Sequence, residues 1–267
     1  MTSVNYLVPH DFSKVGDVAL NYAMFLAEKS KATITLIHLV ASKDKIAAAT
    51  TKLDQIVAAN QTASIKIEWT INIGNIFDDL GKIAQKMDAT LIIMGTHGIS
   101  GMQKIFGSHA MKVVRSTSIP FVVVQDKTTV HQIKNIIAPV DLSRESLQII
   151  TYVAEVANLF DAEVFIVYEP HTDPILATQM RNRLGIVLKE LEERKVKINF
   201  EILNGSGSFH KKILEFGKSK NADLYAAAFH TQSLLPQFEK LYQTLITNDQ
   251  NTPCIIVNAK ESTNLYF

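Results

Sequence analysis

The segment Met94-Gly95-Thr96-His97-Gly98-Ile99-Ser100-Gly101-Met102-Gln103-Lys104-Ile105-Phe106-Gly107-Ser108 concentrates residue types suited to holding an anion. Glycines at 95, 98 and 101 let a backbone take positive φ and approach a ligand with no Cβ in the way. Gly107-Ser108 stands where a helix is expected to begin, and free amides with a partial positive charge there favour a phosphate. The Ser108 hydroxyl adds a further donor. The spacing is neither G-x-x-x-x-G-K-[ST] nor G-x-G-x-x-G, which excludes the P-loop and the dinucleotide fingerprint. His97 lies inside the loop and either touches phosphate or holds the loop through a backbone bond; both readings stay open. His38, after the apolar run Ile34 to Ile37, reads as a structural strand-end residue. No two histidines or carboxylates have metal-ligand spacing on a predicted helix, so no dedicated metal site is expected, and Mg²⁺ would arrive only with nucleotide phosphates. Lys104 is the only cation near the loop and no general base is evident. Phosphoryl transfer needs more positive charge than that, so the chain reads as a binding protein with at most slow hydrolysis, not an enzyme.

Alternating strands and helices must position this loop. Val4 to Val8 is an apolar run closed by Pro9, and Ser13 is a candidate N-cap for a helix carrying Val15, Val18, Ala19, Tyr22, Phe25 and Leu26. Thr33 to Val40 reads as a strand, Lys43 to Asn60 as a helix, Ile65 to Ile71 as a strand and Ile76 to Met87 as a helix. Thr90 to Met94 is a strand leading into the glycine loop. Ser108 to Ser116 reads as a helix, and Phe121 to Val124 as a last strand opened by Pro120, where proline is tolerated. Such uniformly apolar strands are buried on both faces, which implies a parallel sheet with helices above and below.

The pattern then repeats. Pro9, Asp11 and Ser13 recur as Pro139, Asp141 and Ser143, an offset of 130; Ala89, His97 and Pro120 recur as Ala222, His230 and Pro253, an offset of 133. The chain is therefore read as two copies of one fold, residues 1–127 and 132–260. Strands of the second copy are expected near Ile136, Val164, Val196, Leu224 and Ile255. The α/β class is thus two tandem doubly wound, five-stranded, Rossmann-like domains. In the second copy Gly95 becomes Ala228, Gly98 becomes Thr231, Gly107 becomes Lys240 and Ser108 becomes Leu241. Phe238, Leu241, Tyr242 and Leu245 keep an apolar helical stripe, so the fold is expected to survive where the cradle does not. Gly205-Ser206-Gly207 reads as a plain turn.

Bulk properties narrow the partners. Lys+Arg 27 against Asp+Glu 26 gives a net charge of +1, with no clustered basic patch for nucleic acid or an anionic membrane. No run reaches the roughly 18 apolar residues of a membrane span, and Met1 to Lys14 has no basic n-region, so a cytoplasmic location is expected. The single cysteine, Cys254, excludes an intrachain disulfide and reads as a buried strand residue.

The strings LVPHDFS, MGTHGISGMQKIFGS and SIPFVVV closely resemble the universal stress protein family, and the resemblance extends over nearly the whole chain as two tandem domains. ATP-binding members carry G-2x-G-9x-G-[ST]; here Gly95-2x-Gly98 is followed by eight residues before Gly107-Ser108. The resemblance implies ATP, or ADP or AMP, bound once per chain in the first domain. It implies that Pro9 and Asp11 border the adenine and ribose and that Leu39 packs near the base. Met94, Gly95 and Gly98 would line the ribose and phosphates, and Gly107, Ser108 and His109 the phosphate end. His10 departs from the commoner Thr or Val. The resemblance further implies an intrachain pseudo-dimer through Phe121 to Val124 and Ile255 to Val257, with further homodimerisation open. Two other readings are a ligand-free interaction protein of the same fold and an adenylyl-transferring enzyme; the latter wants an H-x-G-H-like motif that Pro9-His10-Asp11 does not supply.

Overall fold

The structure, a computed structural model, describes residues 4–96, 112–143, 145–230 and 236–259. The chain divides into two compact units, Met1–Val130 and His131–Phe267. In the first, the strands are β1 (Asn5–Pro9), β2 (Thr33–Val40), β3 (Ile67–Ile73), β4 (Leu91–Thr96) and β5 (Phe121–Gln125). The helices are α1 (Lys14–Ser30), α2 (Ile46–Asn60) and α3 (Ile76–Lys86), and residues 112–115 are also helical. The strands lie in the order β3-β2-β1-β4-β5, and every pair is parallel. The direction of winding across the sheet reverses between β1 and β4. Right-handed crossovers therefore put α1 and α2 on one face of the sheet and α3 on the other.

Local chemistry explains these elements. The Ser13 hydroxyl accepts from the Gly16 amide at 3.3 Å and starts α1. Val15, Ala19, Tyr22, Ala23 and Leu26 then make its buried stripe. Lys31 closes the helix in the left-handed region, φ 60°, its amide donating to the Ala27 carbonyl at 2.8 Å. Asn75 caps α3 through the Phe77 amide at 2.8 Å, while Asp79 Oδ2 accepts from the Asn75 amide at 2.8 Å, a reciprocal pair at the helix start. The strand expected at Ile65 to Ile71 forms two residues later. Its register against β2 runs from Ile34↔Ile67 to Val40↔Ile73, and Ile65 is buried ahead of it. Lys43–Lys45 is a short 3₁₀ turn ahead of α2, not α-helix.

The second unit contains β6 (Asn135–Pro139), α4 (Gln148–Phe160), β7 (Glu163–Tyr168), α5 (Pro174–Glu193) and β8 (Lys197–Ile202). It continues with α6 (Phe209–Ser219), β9 (Leu224–His230), α7 (Pro236–Ile246) and β10 (Cys254–Ala259). Its strands lie β8-β7-β6-β9-β10, again all parallel, the same winding as in the first unit. Cys254 is fully buried at the start of β10. Gly205 and Gly207 take φ of 94° and 118° in the connection between β8 and α6, where added side chains would meet nothing. Among the described residues, no helix is long and apolar enough to cross a membrane.

Candidate functional site

The carboxyl ends of β1, β2 and β4 and the amino ends of α1 and α3 enclose a cavity of about 280 Å³ in the first unit. Its position at the β1/β4 reversal is the place where open α/β sheets bind ligands. Pro9, His10, Asp11, Leu39, Met94 and Gly95, six residues singled out from the sequence, line it together. His97, Gly98, Gly107, Ser108 and His109 lie outside the described residues. The lining also includes His38 and the Gly74, Ile76 and Phe77 side of α3, which sequence reasoning did not place at a site. The signal for the latter was available: Gly74-Asn75 with Asp79 marks a helix start directly after a strand.

Glycines shape the walls for specific reasons. A Cβ on Gly95 would stand 2.5 Å from the Val15 carbonyl oxygen, so the first turn of α1 packs directly on the end of β4. Gly95 is an extended strand residue; the expectation of positive φ there is not met, and close helix-strand approach is what requires glycine. Gly16 serves likewise, since a Cβ there would press on Asp11 and the His10 ring at 3.2 Å.

The turn after β1 carries the polar chemistry. Asp11 Oδ1 accepts from the Ser13 amide at 3.1 Å and also from the Ser13 hydroxyl. Burial pushes the Asp11 carboxyl up, but these Ser13 bonds and the His10 ring outweigh it and hold it below the ordinary carboxylate range. Asp11 is therefore an ionised acceptor at the cavity edge. His10 is 2% exposed. Its Nδ1 accepts from the Phe12 amide at 3.1 Å, so the ring proton of the neutral form sits on Nε2. Nε2 faces Asp17 Oδ1 at 3.2 Å without the alignment of a hydrogen bond. Burial lowers the His10 pKa, against the opposing pull of Asp17 and Asp11. The His38 Nδ1 lies 2.7 Å from the His10 carbonyl, which only accepts, so Nδ1 donates.

Phe12 is bent into this arrangement. Its φ of 65° is left-handed, a conformation that costs a non-glycine residue about 1–3 kcal/mol. The ring stacks on His38 with centroids 4.3 Å apart, and the Lys52 ammonium sits 4.9 Å over its centre. No lysine or arginine is among the residues described as lining the main cavity.

Strand ends of the second unit are built differently. The Val140 amide bonds to the Val167 carbonyl at 2.9 Å as His10 bonds to Ile37, so Glu169 stands where Leu39 does. Lys212, at the place of Asp79, reaches that carboxylate at 2.7 Å with its side chain only 13% exposed. Arg183 donates to the Ser143 carbonyl at 2.7 Å across the turn that corresponds to Asp11–Ser13. An ion pair thus occupies the position of an apolar wall. Asp141 keeps the Asp11 role, its Oδ1 accepting from the Ser143 amide at 2.8 Å.

Winding and cavity together define an open-sheet α/β protein with a ligand-sized cleft in its first half. The family model for the universal stress protein family matches residues 5–125. The first domain is therefore of the universal stress protein type, and the second domain repeats its fold. Universal stress protein G of Salmonella typhimurium is 25% identical over 129 residues, 42% of this chain and 90% of that protein. A universal stress protein of Methanocaldococcus jannaschii is 32% identical over 106 residues, 34% of this chain and 61% of that protein. The crystal structure of a universal stress protein from Archaeoglobus fulgidus matches 97% of this chain and 100% of its own, with a TM-score of 0.79 at 17% identity, a likeness of fold over both domains.

Proposed function

We propose that the first domain binds one adenine nucleotide, ATP or a shorter relative, and that the chain works as a nucleotide-responsive stress or signalling module and not as a fast enzyme. The observation that carries this reading is the convergence of Pro9, Asp11, Leu39, Met94 and Gly95 on one cavity at the sheet's reversal point. The cavity's chemistry suits a nucleoside better than a phosphate. Its described lining offers Leu39, Ile76, Phe77 and Met94 for a flat base, and the ionised Asp11 as acceptor for ribose hydroxyls or an exocyclic amine. An anion beside Asp11 would be repelled, so the phosphates belong toward the glycine segment that follows β4, with Gly98, Gly107, Ser108 and His109 as their partners and Mg²⁺ bound through the phosphates. The second domain, with Glu169 and Lys212 at the matching position, takes no nucleotide. By the same resemblance the two domains pair through β5 and β10, a pairing that engineered cysteine pairs across those strands would trap as a disulfide.

Calorimetric titration of the full chain with ATP, ADP and AMP tests the reading, together with analysis of nucleotide released on denaturation. One site per chain is expected. Gly98→Val should remove it with the far-ultraviolet circular dichroism unchanged, and substitution of Thr231 should leave affinity alone. No binding of any adenine nucleotide, or equal loss from both substitutions, defeats the proposal.

A further inference from the structure

A second cleft lies behind the wall of the first cavity. It has a volume of about 330 Å³ and is lined by Phe12, His38 to Ala41, Lys45, Ala48, Ala49 and Lys52. His38 and Leu39 border both spaces, while α2 faces only the second. The cause is legible in α2 and the 3₁₀ turn before it. Positions 45, 48, 49 and 52 fall at i, i+3, i+4 and i+7, a single helical face. Of these only Ala49 is buried; Lys45, Ala48 and Lys52 are exposed, so two small alanines leave a hollow along the solvent-side edge of α2, with a lysine at each end. Leu53, one position on, supplies the buried anchor that holds the helix to the sheet.

The cations of the cleft are underused. Among the described residues, the only partner of Lys52 is the face of the Phe12 ring. Lys45 approaches only its sequence neighbour Asp44, at 3.4 Å, with both side chains about two-thirds exposed. Among the described residues that line the cleft, none carries a carboxylate. The Phe12 ring is held against His38 by a left-handed backbone, and strain of this kind collects at ligand clamps. Floor, wall and charge together suit one ligand class: a small organic anion whose apolar or aromatic body rests on Ala48, Ala49 and Leu39 and whose phosphate or carboxylate head meets Lys45 and Lys52. We infer that this cleft is a second binding site, separate from the nucleotide cavity, for such an anion.

The test uses the full chain with phenyl phosphate, benzoate and inorganic phosphate as probes. Binding is followed by calorimetry and by the methyl signals of labelled alanines, with and without excess adenosine, which is uncharged and so does not compete for the lysines. Phenyl phosphate or benzoate should bind saturably with a Kd of about 1 mM or tighter, and which of the two binds better identifies the head group. The Ala48 and Ala49 signals should shift, and adenosine should not displace the probe. Inorganic phosphate, lacking the body, should bind more weakly. Lys45→Glu combined with Lys52→Glu should weaken the probe by about tenfold or more, both positions being exposed and tolerant of the change. Ala48→Leu, which fills the hollow and keeps both charges, should also weaken it. Absence of saturable binding, binding that survives the charge reversals, or displacement by adenosine overturns the assignment. If adenosine and ATP themselves fail to bind, the nucleotide reading fails alone, because the lysine and alanine variants still report on this cleft.

Discussion

His10 is almost wholly buried and its Nδ1 is committed to the Phe12 amide, so the fold accommodates the neutral imidazole. Its folded pKa lies below 6.5, which means the unfolded chain takes up the proton first as pH falls. Stability contributed this way is complete above the unfolded value and declines as pH drops through 6.5 toward the folded one. Urea midpoints at about pH 7.5 and about pH 5.5 should therefore differ, and His10→Asn, which can still accept from the Phe12 amide, should shrink the difference. Asp11 acts in a lower window. Its pKa is depressed, so its contribution is present above 3.8 and is lost as pH falls through the folded value, a loss that Asp11→Asn should remove. At Gly95 the constraint is steric. Gly95→Ala forces a methyl against the Val15 carbonyl and should lower stability by about 1–3 kcal/mol in thermal melts. These positions divide what the sequence made legible. Pro9 and Asp11 were singled out because the family's motif is short and contiguous there, and Leu39 only through the wider resemblance. The part played by His38 was missed: its tautomer and its stack on Phe12 depend on a backbone bend at Phe12 that no local pattern announces.

At the scale of elements, the two units show one winding with different chemistry at the strand ends. Apolar runs and punctuation by Pro, Gly and Asn made the succession of strands and helices readable, and the edge strand β3 was displaced by two residues at both ends. Its start is set by pairing with β2, not by its own apolar pattern, which begins at Ile65. The ion pair between Glu169 and Lys212 joins a strand end to the first turn of α6, a contact between residues 43 positions apart that no spacing rule anticipates. Because Lys212 is mostly sheltered, Glu169→Ala leaves a cation without its partner, and a loss of about 1–2 kcal/mol from the second unit is expected after allowance for the half-open carboxylate. Replacing both, Glu169→Leu with Lys212→Met, should restore most of it. Denaturant unfolding of the three variants separates a bond that stabilises from one that merely avoids a bare charge.

For the whole molecule, the proposed nucleotide reading confines ligand response to one half. A nucleotide bound only in the first unit should slow amide exchange along β1, β2 and β4 and leave β6, β7 and β9 unchanged. At a free concentration about a hundredfold above Kd the added protection amounts to about 2.7 kcal/mol where opening releases the ligand. Equal protection in both units would mean that the second also holds nucleotide. The repeat itself was plain in the sequence, through the constant offsets of Pro9, Asp11 and Ser13. What the second copy does at its strand ends was only half plain. The lost glycines could be read directly, but the ion pair at the matching strand end becomes visible only once the fold brings residues 169 and 212 together.

Cys254 carries the only sulfhydryl in the chain, and it is sealed at the start of β10. Burial also pushes its pKa up, so the nucleophilic thiolate scarcely exists while the strand stays shut. An aromatic disulfide reagent added in excess would therefore modify one atom per molecule, and only during excursions that bare this strand. The colour that develops serves as a built-in stopwatch for those openings, requiring no engineered label.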